Sequence, residues 1–224
     1  MPFTLTIPPP AAMRVGHEQY LVLPSGTELH RLHHSDYKGA AYNGTAGGNA
    51  RFSPINNTSG QIIPTIYGGQ TFECAVCEII LRCPDSLSLD PTSGLPSPQI
   101  VFPGTYRAYQ HSLVRTIVDL KLVDLRISAQ RRIGVHQNAL LAGPRSTYPE
   151  TRGWAEKIHE ACPSAQGLYY TSHQWGNDFA VVLFGDRIPA AGLQELSTRD
   201  VATPPCHDEI SALASQLGID YQDV

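Results

Sequence analysis

The chain has 224 residues, 42% of them hydrophobic, enough to bury one good-sized core and to favour a single domain. A formal charge of −4 with only 16% charged residues argues against binding nucleic acid by phosphate neutralisation, and no apolar run approaches the ~20 residues of a membrane span. Five cysteines at irregular spacing fit a reducing, cytoplasmic setting better than a disulfide framework, and 19 Gly with 18 Pro predict a loop-rich mixed α/β sheet protein instead of a helical bundle.

Met1 to Met13 carries prolines at 2, 8, 9 and 10 and no basic segment ahead of an apolar one, so it reads as a disordered or draped arm and not as a signal peptide. The arm is taken to extend over residues 1–26. Thr27 to His34 alternates around Leu29 and Leu32 and predicts the first strand. Ser35 to Ala50, with Gly39, Gly44, Gly47 and Gly48, predicts a mobile loop. It lacks the lysine of a phosphate loop and the spacing of a dinucleotide fingerprint, so plain flexibility takes precedence over a lid that closes on a ligand. Arg51 to Pro54 starts or ends a short strand, and Ile62 to Tyr67 makes another.

Gly68-Gly69 then turns the chain into its best helix. Phe72, Ala75, Val76, Ile79, Ile80 and Cys83 share one apolar face, Thr71 is the N-cap and Pro84 the stop. Pro91 to Pro103 reads as a loop, and Thr105 to Thr116 and Ile117 to Arg126 as two core strands. Ser128 to Leu141 and Pro149 to Cys162 read as helices, the second with Trp154, Ile158 and Cys162 on one stripe. Gly167 to Ser172 and Phe179 to Phe184 form a strand pair, and a short amphipathic helix lies around Ile210 to Leu217.

Glu78 lies on the flank of the first helix, with Thr71, Cys74 and Arg82. The plain reading is a solvated carboxylate paired with Arg82 one turn on, worth ~0.3 kcal/mol. The functional reading is a carboxylate beneath a ribose, able to support an oxocarbenium ion. Arg31 and Arg51 flank the Gly-rich loop; each alone reads as a surface charge, and together they can grip a pyrophosphate. Tyr67 reads as a core aromatic at a strand end or as a stacking platform for nicotinamide, with Gly68 and Gly69 admitting the ligand. Ser172 precedes a polar turn, where turn hydrogen bonding is the default, and no Gly-x-Ser-x-Gly elbow marks it as a nucleophile. Cys74-x-x-Cys77 sits on one helix without a second pair, and His30, His33 and His34 alternate along a strand, so neither group predicts a metal site. An arginine, a tyrosine, a glutamate and a serine together suit chemistry on NAD with no metal.

Taken in order, several segments resemble the RES-domain family, toxins of bacterial toxin–antitoxin pairs, over about Leu29 to Ile188. They are Leu29-His30-Arg31, Ala50-Arg51-Phe52-Ser53-Pro54, Pro64 to Gly69, Thr71 to Glu78, Gly153-Trp154-Ala155 and Gly167 to Ser172. The resemblance implies an α+β, ADP-ribosyltransferase-like fold: a mixed, mainly antiparallel split sheet with flanking helices in a single domain. Residues 27–190 would form the catalytic part and 191–224 a C-terminal extension packed on it. It further implies an enzyme that takes NAD as substrate, with no metal, and cleaves the nicotinamide–ribose bond by hydrolysis or phosphorolysis. A cognate helix-turn-helix antitoxin of the Xre type would block the site. Carried over by position, Glu78, Arg31 and Ser172 look like the catalytic residues and Arg31, Arg51, Tyr67 and Ser172 like the NAD contacts. Two other readings stay open: transfer of ADP-ribose to a protein acceptor, and an idle module that only holds a nucleotide or a partner.

Overall fold

The computed structural model describes residues 6–86 and 88–222, so the first five residues of the expected arm lie outside it. The rest of the arm drapes over the domain: the Pro8 carbonyl accepts from the Trp154 indole at 2.7 Å, and Met13 is buried. Strand β1 (Tyr20–Leu23) follows, inside the segment read as an arm, then β2 (Glu28–His34). Two short strands, β3 (Ile55–Asn56) and β4 (Ile62–Ile63), pair with each other, and β5 (Thr65–Gly69) leads into α1 (Phe72–Ile79). The chain continues through β6 (Ile100–Val101), β7 (Tyr109–Thr116) and β8 (Leu120–Asp124). Helices α2 (Ile127–Arg132), α3 (Ala139–Ala142) and α4 (Tyr148–Ala161) come next, then β9 (Gly167–Thr171) and β10 (Phe179–Phe184). Strand β11 (Leu193–Asp200), α5 (Cys206–Gln216) and β12 (Asp220–Tyr221) complete the described chain.

One eight-stranded sheet runs in the order β1-β8-β9-β10-β5-β2-β7-β11. Every neighbouring pair in it is antiparallel except β8 and β9. Parallel neighbours need a crossover, and α2, α3 and α4 supply it. The seam between β2 and β5 is different from the rest. It closes at His30 opposite Gly69, whereas β2 pairs with β7 all along Glu28–His34. The sheet is therefore held together at one end of this seam and open at the other. This is the α+β, mainly antiparallel split sheet with flanking helices that the sequence implies.

Strand β10 shows why both sheet faces are covered. Ala180, Val182 and Phe184 join a core with Phe52, Trp154, Ile158 and Tyr170, while Val181 and Leu183 join Leu29, Ile66, Leu120 and Leu122 on the opposite face. A strand buried on both sides reads as an unbroken apolar run, and each such side chain contributes about 1.5–3 kcal/mol. A third cluster packs α1 on α5 through Val76, Ile80, Ile210 and Leu213.

Three further expectations change. The first helix ends at Ile79, before the Pro84 stop, because Ile80 and Leu81 turn into the core shared with α5. Its buried residues are Cys74, Ala75, Val76 and Cys77, leaving Ile79 and Cys83 exposed. The single helix expected over Ser128 to Leu141 is two, because Gly134, Gln137 and Asn138 all take positive φ. Buried Gln130 holds the break: its amide donates to the Leu125 carbonyl and to Asn138, each at 2.7 Å, and its oxygen accepts from Leu140 N. Finally, β11 was not expected at all. Its exposed and half-buried residues carry little apolar alternation, as suits a sheet edge.

Candidate active site

The open end of the β2–β5 seam forms a cleft of about 500 Å3, within the range of small-molecule sites. Strands β2 and β5 make two walls, α1 supplies Ala75 and Glu78, and the Gly-rich loop lies along the rim with Gly47, Gly48 and Asn49. That loop is pinned at its start. Arg31 Nη1 donates to the carbonyls of Gly39 and Ala41 at 2.6 and 2.8 Å, and Gly39 N donates to Glu195 at 2.5 Å. A Cβ at Gly39 would lie 2.5 Å from Ser112. Further on, Asn43 pairs with Thr65, and residues 44–49 are exposed.

Glu78 sits in the last turn of α1, half-buried. A carboxylate there faces the negative end of the helix dipole, an unfavourable place for it. Two donors from the loop after β9 hold it: Ser172 Oγ at 2.7 Å and His173 N at 3.1 Å, both to Oε1. Ser172 is buried, takes bonds from Gln174 N and Trp175 N, and is not part of the cleft wall. It orients Glu78. The expected pairing of Glu78 with Arg82 does not form; Arg82 Nη2 donates to the Tyr148 hydroxyl at 2.6 Å instead.

Arg31 and Arg51 both line the cleft, in different surroundings. Burial pushes Arg31 down to about 10, Glu195 opposing, so it stays a cation at neutral pH. Arg51 is 8% exposed, donates to the Leu140 and Gly143 carbonyls at 3.3 and 3.1 Å, and lies 4.9 Å from the centre of the Tyr148 ring. Burial lowers its pKa as well, with Tyr148 and Tyr170 opposing. Tyr67 contributes its half-buried ring to the wall, while its hydroxyl accepts from Phe52 N at 2.9 Å and burial raises its pKa. The two glycines after it also serve packing: a Cβ at Gly69 would lie 2.9 Å from Cys74 Sγ, and one at Gly68 would lie 3.0 Å from Leu29.

The RES domain family matches residues 28–205 of this chain. The chain belongs to the RES domain family. A solved chain from the M. tuberculosis MbcT–MbcA toxin–antitoxin complex superposes with a TM-score of 0.59 at 14% identity, covering 88% of this chain and 93% of that one. At that identity the likeness is one of fold. Among curated proteins no significant match is found.

The RES domain cleft also holds residues that sequence reasoning passed over. Tyr148 opens α4 and is clasped by Arg51 and Arg82, whose guanidinium lies 5.7 Å from its ring centre. Tyr170, Tyr106, Tyr109 and Arg145 add to the wall. His173 lines it too; burial first, then Arg51, lower its pKa, so it is neutral at pH 7. Tyr169-Tyr170-Thr171-Ser172 alternates, and that period alone places Tyr170 and Ser172 on one face. Nothing local marked Arg82 or Tyr148. Among the described residues, no group of three or more metal-ligating side chains stands together, and no helix is long and apolar enough to cross a membrane.

Proposed function

We propose that this protein is an NAD-consuming toxin enzyme that breaks the nicotinamide–ribose bond, and that a partner antitoxin neutralises it. The observation that carries the reading is Glu78, set in the cleft wall against its helix dipole and oriented by Ser172 Oγ and His173 N. Such a placement costs stability and suits a carboxylate wanted for its charge. Membership of the RES domain family and a fold shared with a toxin–antitoxin complex support the toxin role. The five free cysteines suit a cytoplasmic setting, where NAD is at hand.

In this reading Arg31 and Arg51 hold the phosphates, Arg51 as a preorganised fork stacked on Tyr148. The Tyr67 ring lies against nicotinamide. On cleavage the C1′–N bond breaks and its electron pair leaves with the nicotinamide nitrogen, so the pyridinium charge passes to the ribose C1′–O4′ unit. Glu78 stabilises that charge more than it stabilises bound NAD, which lowers the barrier. An oxygen of water or phosphate then bonds to C1′ and releases its proton to solvent. Ser172 works through Glu78.

The test mixes purified protein with NAD and measures free nicotinamide. Release in phosphate-free buffer means hydrolysis, release that needs phosphate means phosphorolysis, and label on a second protein means ADP-ribosyl transfer. An intact NAD pool under all three conditions refutes the enzymatic reading. Co-expression with a neighbouring helix-turn-helix protein is expected to restore growth and to suppress nicotinamide release.

A further inference from the structure

His30 stands where β2 and β5 join, opposite Gly69, and lines the closed end of the cleft. Its Nδ1 lies 3.0 Å from Nε2 of His111 on β7, with the two rings inclined by only 18°. His111 is buried, and its Nδ1 lies 3.1 Å from Arg199 Nε on β11. An arginine can only donate. His111 Nδ1 therefore accepts, its proton sits on Nε2, and that N–H donates to His30 Nδ1. The same step places the His30 proton on Nε2, which makes no hydrogen bond within the described residues. Arg199 is itself held by Glu209 of α5 through Nη1–Oε1 at 2.8 Å and Nη2–Oε2 at 2.5 Å. Phe72 of α1 packs against both Arg199 and His111, 4.8 Å from the guanidinium and edge-on to the imidazole at 4.9 Å.

We propose that His30 is a neutral hydrogen-bond donor to the bound dinucleotide, held in its Nε2–H form by the line Glu209–Arg199–His111. The proposal rests on the NAD reading of the cleft. A second proton on His30 would have to enter at Nδ1, facing the His111 N–H, so the charged form loses that bond and meets another donor. The surrounding charges agree. Burial, then Arg199 and His30, push His111 down to about 3, with His33 adding and Glu209 opposing. Burial lowers His30 as well, Arg199 adding and Glu73 and Glu28 opposing. Neutrality suits the chemistry. NAD arrives with a pyridinium, and that positive charge moves to the ribose on cleavage. An imidazolium at the closed end would repel it, whereas a neutral N–H bonds a carboxamide, hydroxyl or phosphate oxygen without doing so.

Nitrogen-15 spectra of the histidine rings in the ligand-free protein test the line independently of any reaction. Both His30 and His111 are expected to be neutral and protonated on Nε2 at pH 7, and Arg199→Gln is expected to raise the pKa of His30, because one charge that lowers it is gone while burial still acts. A wild-type His30 that is charged or protonated on Nδ1 overturns the proposal. Turnover tests the contact. His30→Asn, which keeps a neutral donor, should stay within ~5-fold of wild type, and His30→Phe should lose ~10- to 100-fold, the range for a hydrogen bond to a charged group. Arg199→Gln should shift the acid limb of kcat/KM to higher pH than in wild type. Equal losses for folded Asn and Phe variants, in a wild type that consumes NAD, overturn the contact. A wild type that neither binds nor consumes NAD overturns it together with the NAD reading, and the spectra then show separately whether the line exists.

Discussion

Replacing Glu78 by glutamine separates charge from shape in the proposed reaction. Both donors to Glu78, Ser172 Oγ at 2.7 Å and His173 N at 3.1 Å, converge on one oxygen, which the amide oxygen of Gln can replace. Weakening two charge-assisted bonds costs ~1 kcal/mol, and removing a negative charge from a helix C-terminus returns ~0.3–1 kcal/mol. The variant should therefore fold, with stability within ~1 kcal/mol of wild type. Catalysis should suffer far more. A unit charge ~4 Å from a developing cation contributes ~4 kcal/mol at an effective dielectric of about 20. Glu78 is half-buried, so solvent reduces this, and ~2.7 kcal/mol or more, a fall of ~100-fold or more, is the expected effect on turnover. Single-turnover nicotinamide release at saturating NAD reads the chemical step, NAD titration reads affinity and thermal unfolding reads the fold. A folded variant that cleaves NAD within ~3-fold of wild type refutes the reasoning. A loss seen in affinity, with turnover intact, assigns Glu78 to ground-state binding instead.

Three further outcomes are expected. Arg51→Ala should weaken NAD binding ~10- to 100-fold by calorimetry and also lower stability, since the Leu140 and Gly143 carbonyls lose their donor; unchanged affinity removes Arg51 from the phosphate site. Tyr67→Phe should cost ~1–3 kcal/mol in denaturant unfolding, because Phe52 N loses its acceptor, while turnover per folded molecule stays close to wild type; a large loss of turnover would give the hydroxyl a role on the ligand. His111 binds its proton less tightly in the folded chain than in the unfolded one, so its contribution to stability is complete above pH ~6.5 and is lost as pH falls towards about 3. The slope should reach up to ~1.4 kcal/mol per pH unit, and His111→Gln should flatten it; an equal slope in the variant contradicts the assignment.

What the sequence determined by itself is local. Leu29 and Leu32 of Glu28–His34, the apolar run Phe179–Phe184 and the stripe of Trp154 and Ile158 each mark one element and its burial: the two leucines enter different cores, Phe179–Phe184 is covered on both faces, and Trp154 and Ile158 share one core. Thr71 caps α1 by accepting from Cys74 N, and its hydroxyl also donates to Asp178, a partner no local pattern shows. The order of the motifs was enough to point to the family and the fold. What only the tertiary structure decided is which side chains meet. Glu78 and Ser172 are 94 residues apart, Arg82 leaves its i−4 neighbour for Tyr148 at a separation of 66, and Arg199 reaches His111 across 88. The break at Gly134 depends on Gln130 bridging two turns, and the opening of the cleft depends on β2 and β5 parting beyond His30 and Gly69. Periodicity fixes the face of a residue within its own element; strand register and the packing of remote elements fix what that face meets, and the cleft is made of those meetings.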